Sequence, residues 1–219
     1  RDLLRRRLHF VRHRGQLLAH IQNTHHQYNL PAPGKRIAYR ANREGICEGF
    51  EDVSVMKSLE ADVALIDHYD LVIRDLELTA LRQARGHDLD SYERLKTIPG
   101  IGKVLALTIL YEIHDIGRFP RVQEFASYSR LVKCQKSSVG KVLGTSGNKI
   151  GNAHLKWAFS EAAVLLLGKC PEGKKALARI ERKHSKGKAL SILAHRIGRA
   201  AYFMLARKRA FDLERFVRS

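Results

Sequence analysis

A chain of 219 residues, 44% of them hydrophobic, has enough apolar side chains for one large domain or two small ones. Its net charge of +18 points to a polyanionic partner, nucleic acid before any other. No apolar run reaches the roughly 18–20 residues that span a bilayer, and three scattered cysteines give neither a disulfide framework nor zinc spacing. No membrane partner, no bound metal and a reducing, cytoplasmic setting are therefore expected.

Residues 1–29 read as a basic helix, with Leu3, Leu4, Phe10, Val11, Leu17, Leu18 and Ile21 at roughly helical spacing. "LPAPGKR" breaks it, and residues 38–50 read as a turn-rich connector. Residues 53–85 give the clearest long helix. Met56, Leu59, Val63, Ile66, Ile73, Leu76 and Ala80 form its stripe, interrupted by Asp70. That pattern belongs to a coiled coil or an antiparallel hairpin. Residues 51–96 hold 11 acidic and 6 basic side chains, against 24 basic and 8 acidic in residues 97–219. The acidic helix is thus expected to space or self-associate, its acids forming a solvated face, while the basic part meets phosphates. A domain boundary near residue 88 separates a basic helix and coiled-coil region (1–88) from a C-terminal domain (89–219). Further helices are expected at 90–97, 103–114, 121–130, 153–167, 173–184 and 187–207. No period-two alternation persists, so the fold class is all-α: long coiled-coil helices followed by a compact helical domain.

"LKTIPGIGKVLALTI", residues 95–109, has the spacing of a helix-hairpin-helix. Pro99 and Gly100 make the turn, Ile101 plugs the gap and Gly102 opens the second helix. Bare glycine backbone lets a phosphate approach N–H groups, and the helix N-terminus adds partial positive charge. Gly100, Gly102 and Lys103 are the expected phosphate contacts, without sequence readout.

"KCQKSSVGKVLGTSGNKIGN", residues 133–152, admits three interpretations. A nucleotide-binding P-loop fails: Gly140 is followed by Lys141, Gly144 by Thr145, and no strand is expected before them. A plain loop leading to Asn152 as a helix cap fits the composition. A nucleophilic serine also fits, since a hydroxyl exchanging one phosphodiester for another needs no ATP. It does need a base, a metal or strong charge neutralisation. Lys136, Lys141, Lys149 and Lys156 are the neutralising candidates, and His154 is the nearest potential base, better read as a helix-surface residue.

The run "TIPGIGKVLALTILYEIHDIGRFPRVQEFASYSRLV", with the following "SSVGK" and "KIGNAHLKWAFSEAA", resembles the insertion-sequence transposases of the IS-one-ten group, its IS-eleven-eleven branch in particular. These are bridge-RNA-guided DNA recombinases. The resemblance spans residues 95–207 and extends more weakly upstream. It implies a serine nucleophile, a guide RNA, DNA, a coiled coil that supports homo-oligomers, and a bacterial, nucleoid-associated setting. It also implies an N-terminal RuvC-like domain whose acidic residues bind Mg2+. No such acidic tetrad is found here, and the chain starts at Arg1, so it is expected to be a C-terminal fragment with no cofactor of its own and little strand-transfer activity alone. The family's serine motif falls on Ser138, with Ser137 the neighbouring candidate and Val139 where a smaller residue is expected.

Glu112 and Asp115 share helical spacing that suits a cation, with capping and solvent exposure as the plainer account. Trp157 and Phe159 read as core, while Tyr128, Arg130 and Lys133 are placed for phosphates. Leu190, Leu193, Ile197, Ala201 and Leu205 form a buried stripe that leaves Lys186, Lys188, Arg196, Arg199, Arg207, Lys208 and Arg209 outside. RNA-guided DNA transposition through Ser138 is the function this pattern supports. A non-catalytic helix-hairpin-helix binding module and a coiled-coil assembly protein that docks on RNA are the alternatives.

Overall fold

Nine helices and one β-hairpin account for the described secondary structure beyond two short 3-10 turns. The structure is a computed structural model. It describes residues 1–218 apart from Ala32, Gly34, Lys35, Gly140, Asn148 and Lys149, and only the backbone of 134–138, 142–143 and 145–147. The helices are α1 (Asp2–Gln27), α2 (Val53–His87), α3 (Leu89–Lys96), α4 (Lys103–Ile113), α5 (Val122–Tyr128), α6 (Ala153–Lys169), α7 (Pro171–Glu181), α8 (Lys186–Arg207) and α9 (Leu213–Arg218). The fold class is all-α, as the periodicity implies. The strands β1 (Lys133–Ser138) and β2 (Lys141–Gly147) and the short α9 were not foreseen. Two compact units divide the chain, Asp2–Leu81 and Arg82–Ser219, so the division falls within α2.

In the first unit α1 and α2 run antiparallel. Their polar pairs descend one helix as they climb the other: Arg7 with Glu77 at 2.7 Å, Arg14 with Asp70 at 2.6 Å, His20 with Asp62 at 2.5 Å. Steps of six to eight residues, about two turns each, keep one seam of each helix facing the other. Asp70, the polar break in the α2 stripe, is therefore a partner for arginine. It also accepts from Arg43 at 2.7 Å, and Arg43, only 3% exposed, holds Asp67 and the Ile37 carbonyl as well. Asp62, Asp67, Asp70 and Glu77 thus pair with basic side chains of α1 and the connector, while Glu51, Asp52, Glu60 and Asp75 are exposed. The connector does more than turn: Ile37, Ile46 and Phe50 are buried with Ile21, Leu59 and Ile66 in one cluster.

In the second unit α8 is the central helix, with α3, α5, α6 and α7 packed on it. Leu193, Ile197, Ala201 and Leu205 are buried and Leu190 is partly so, while Phe125, Leu155, Phe159 and Leu166 fill the space opposite. Trp157 stays partly exposed. Tyr202 donates its hydroxyl to the Phe119 carbonyl at 2.8 Å, so the buried polar group is satisfied. His195 lies half-sunk in the same helix. Burial, then the Arg199 and Arg196 charges, push its imidazole toward the neutral form.

Candidate nucleic-acid interface

The turn between α3 and α4 divides its two glycines between different tasks. Gly100 has φ +95°, which disfavours any side chain. A Cβ built there meets Leu166 N at 2.5 Å and Ala162 O at 2.9 Å, both on the α6 backbone. Gly100 is buried. Its missing side chain lets α6 approach the turn, so this glycine, expected at a phosphate, is buried in helix packing. Gly102 is exposed, has φ −92°, and nothing lies within 4 Å of a Cβ placed on it. Lys103 beside it is exposed at the first position of α4, an 11-residue helix whose first-turn N–H groups lack helical acceptors. Gly102 and Lys103 are thus the parts of this turn open to a phosphate.

The candidate serines lie on the hairpin. β1 and β2 pair antiparallel, with Lys133 opposite Gly147 at the foot and Ser138 opposite Lys141 at the tip. The register shifts between Lys136 and Ser137, a bulge that locally increases twist. Val139 follows with φ +49° and is 99% exposed. A β-branched residue pays for that left-handed geometry with roughly 1–3 kcal/mol of strain. A strand does precede Gly140, contrary to expectation. The P-loop remains excluded by register alone.

The hairpin spaces the candidate cations. At about 3.3 Å per residue, Lys133 stands on the order of 16 Å along β1 from Ser138. Lys133 is exposed, but it serves the foot and not the tip. Lys141 is exposed and stands directly across the ladder from Ser138. His154 sits in the first turn of α6, beyond the foot, and is not placed to act as a base on Ser138. The Ser138 side chain and the whole of Lys149 lie outside the described residues.

The foot is a closed hydrogen-bonded clasp. α5 ends in a Schellman pattern: Arg130 N donates to Ser127 O and Leu131 N to Ala126 O, with Arg130 at φ +53°. Arg130 Nε then donates to Gly151 O at 3.0 Å, across the hairpin's two legs. Asn152 N donates to Tyr128 O at 2.6 Å. A Cβ on Gly151 would lie 2.5 Å from that same carbonyl oxygen, at φ +104°. Arg130, expected at a phosphate, is built into this clasp. Tyr128 packs under the Arg118 guanidinium, 5.2 Å from its ring centroid.

Asn152 couples the clasp to the core. Its Oδ1 caps α6 by accepting from His154 N and Leu155 N, at 2.9 and 3.0 Å. Its Nδ2 donates to Glu112 Oε2 at 2.7 Å. Glu112 is therefore buried and engaged, while Asp115 is exposed and accepts from Gly117 N at 2.8 Å. The two carboxylates do not form a cation site, and His114, at φ +63°, ends α4 between them. The Tyr111 hydroxyl is buried without a partner among the described residues, and burial pushes its pKa up.

Asn152→Asp is expected to keep the α6 cap but set a second carboxylate against Glu112. The cost is about 2–3 kcal/mol at pH 8. Repulsion vanishes once the pair holds a proton, so the deficit in thermal stability shrinks as pH falls toward about 4. Melting curves of the variant and the wild type between those pH values check this.

Residues 92–178 match the sequence model of the transposase IS116/IS110/IS902 family. Over that region the chain is similar to those transposases. The matched region runs from α3 through most of α7, so the turn, the hairpin and the clasp all lie within it. The transposase for insertion sequence element IS1111A of Coxiella burnetii (strain RSA 493 / Nine Mile phase I) is 29% identical over 140 residues. That alignment covers 62% of this chain and 37% of the relative. Helices α8 and α9 lie beyond the matched region. No helix among the described residues is long and apolar enough to cross a membrane.

Proposed function

We propose that this chain is the nucleophile-bearing part of a DNA transposase, and that Ser138 attacks a DNA phosphodiester. The match of residues 92–178 to a transposase family supports a DNA-recombining role. The observation that carries the serine assignment is the hairpin register, which sets Ser138 at an exposed tip with Lys141 across the ladder. In the proposed step the serine oxygen bonds to phosphorus and the bond to the leaving deoxyribose oxygen breaks. The serine's proton ends on that released oxygen. One ester replaces another, so no nucleotide cofactor is consumed. Lys141 offsets charge on the phosphate as it becomes five-coordinate. Gly102 and Lys103 hold the duplex backbone in helix-hairpin-helix fashion, and α1–α2 serves assembly of copies. A guide RNA for target choice is part of the same proposal.

The Mg2+ that the family resemblance implies does not fit the residues present. Glu112 is held by Asn152, Asp115 caps a turn, and no group of three His, Cys, Asp or Glu is placed for a metal among the described residues. No step above runs through it. The exposed Gly102–Lys103 turn also favours a second reading, a binding module without chemistry.

The two readings separate on covalent trapping. The complete protein is incubated with its element-end DNA, denatured and digested with trypsin, which cuts after Lys136 and Lys141. The expected product is the peptide 137–141 carrying a nucleotide on Ser138. DNA joining without any serine-linked nucleotide in that peptide overturns the proposal.

A further inference from the structure

Between α8 and α9, outside the region that matches the family, lies a cavity of about 320 Å³. Its floor is apolar and largely aromatic: Phe203, Met204, Phe211 and Phe216. Arg196, Arg199, Arg207, Arg209 and Arg215 line it as well, and Asp212 is the single acid among them. Asp212 is already committed to α9, since its Oδ1 accepts from Arg215 N at 2.9 Å. The guanidinium carbons of Arg207 and Arg199 lie 4.7 and 6.0 Å from the Phe203 ring centroid. Those three residues are spaced four apart along one face of α8.

The guanidinium groups of Arg199, Arg207, Arg209 and Arg215 around one small cavity repel one another, and one carboxylate does not neutralise them. The arrangement is complementary to an anion. Yet a free phosphate makes no use of the phenylalanines, and a duplex is too wide for a cavity near the lower bound of small-ligand pockets, about 300 Å³. A flat aromatic ring joined to a phosphate satisfies both features. Guanidinium planes stack on bases and bind phosphate oxygens in pairs, and phenylalanine gives every base a face to stack on.

We propose that the α8–α9 cavity binds one unpaired nucleotide of a nucleic-acid strand. The base lies against Phe203 and Phe211, and its phosphate is held by Arg199, Arg207 and Arg209. This site is independent of the serine chemistry. It adds a single-strand contact to the duplex contacts at the α3–α4 turn.

The test uses the complete protein and fluorescent 15-nucleotide single strands, one DNA and one RNA, each carrying a 2-aminopurine, plus a duplex of the same sequence. Phe203→Leu is expected to weaken single-strand binding about 10-fold and abolish the stacking change in 2-aminopurine emission. Duplex binding should change less than about 2-fold. Phe203→Tyr, which keeps a ring, should bind as wild type. Arg207→Gln should weaken single strands about 5-fold, more than the exposed control Arg182→Gln outside the cavity. Should Phe203→Leu fail to fold, the Tyr variant and Arg207→Gln decide through the same emission signal. A loss on both strands, or on RNA alone, supports the site and names its source. Three results overturn it: equal losses on duplex and single strand, unchanged emission, or displacement of the strand by polyglutamate at equal charge.

Discussion

Ser138→Ala in the complete protein is expected to lower DNA joining by about 10³-fold or more while leaving DNA binding within about 2-fold. The reason is positional. Ser138 ends β1 at the tip of a projecting hairpin, with an exposed lysine opposite and a fully exposed Val139 after it. Removing one hydroxyl next to the fully exposed Val139 should change folding stability by no more than about 0.5 kcal/mol. Lost joining with intact binding and melting therefore isolates chemistry from folding. Ser137→Ala should reduce joining far less, and the reverse order would transfer the role to Ser137. Lys141→Met should cost about 10- to 100-fold, the range for removing one stabilising charge from a transition state. Joining by Ser138→Ala within 10-fold of wild type would sink the assignment.

Helices were legible because their apolar stripes are long and their ends are punctuated. The α8 stripe read from Leu193, Ile197, Ala201 and Leu205 is the buried face. Asn152 was legible as a cap because a side-chain oxygen before an apolar run has few other uses. The β-hairpin was not. Its strands carry no apolar alternation, and its tip holds Val139 where a primed turn prefers Asn or Gly. A two-stranded hairpin is held by its ladder and its foot, and the foot is made of contacts between residues 128–131 and 151–152 that no local window contains. Glu112 was misjudged for the same reason: the partner that permits its burial, Asn152, lies 40 residues away. Arg43 likewise looks like one more surface cation until the acids of α2 are brought beside it. Periodicity reports which face is buried. It does not report which polar groups meet, and in this chain those meetings position the hairpin.

The two glycines of the α3–α4 turn should separate stability from binding. Gly100→Ala places a methyl group 2.5 Å from Leu166 N and 2.9 Å from Ala162 O and Leu165 C, at φ +95°. All three obstacles are backbone atoms inside a 17-residue helix, so no side chain can swing aside. The turn must retreat from α6 or the helix must deform. Left-handed strain of about 1–2 kcal/mol adds to the loss of packing, for a total of about 3–5 kcal/mol. For a unit of this size that lowers the melting temperature by roughly 10–15 °C. The chain's one tryptophan, Trp157 in α6, reports the transition of this unit directly. Gly102→Ala meets no atom within 4 Å at an ordinary φ, so its melting temperature should stay within about 2 °C. If a phosphate approaches the backbone at Gly102, the added methyl group blocks it, and duplex affinity should fall several-fold at low salt. A Gly102→Ala protein that melts and binds as wild type would remove this turn from the interface, while leaving the role of Gly100 in packing untouched.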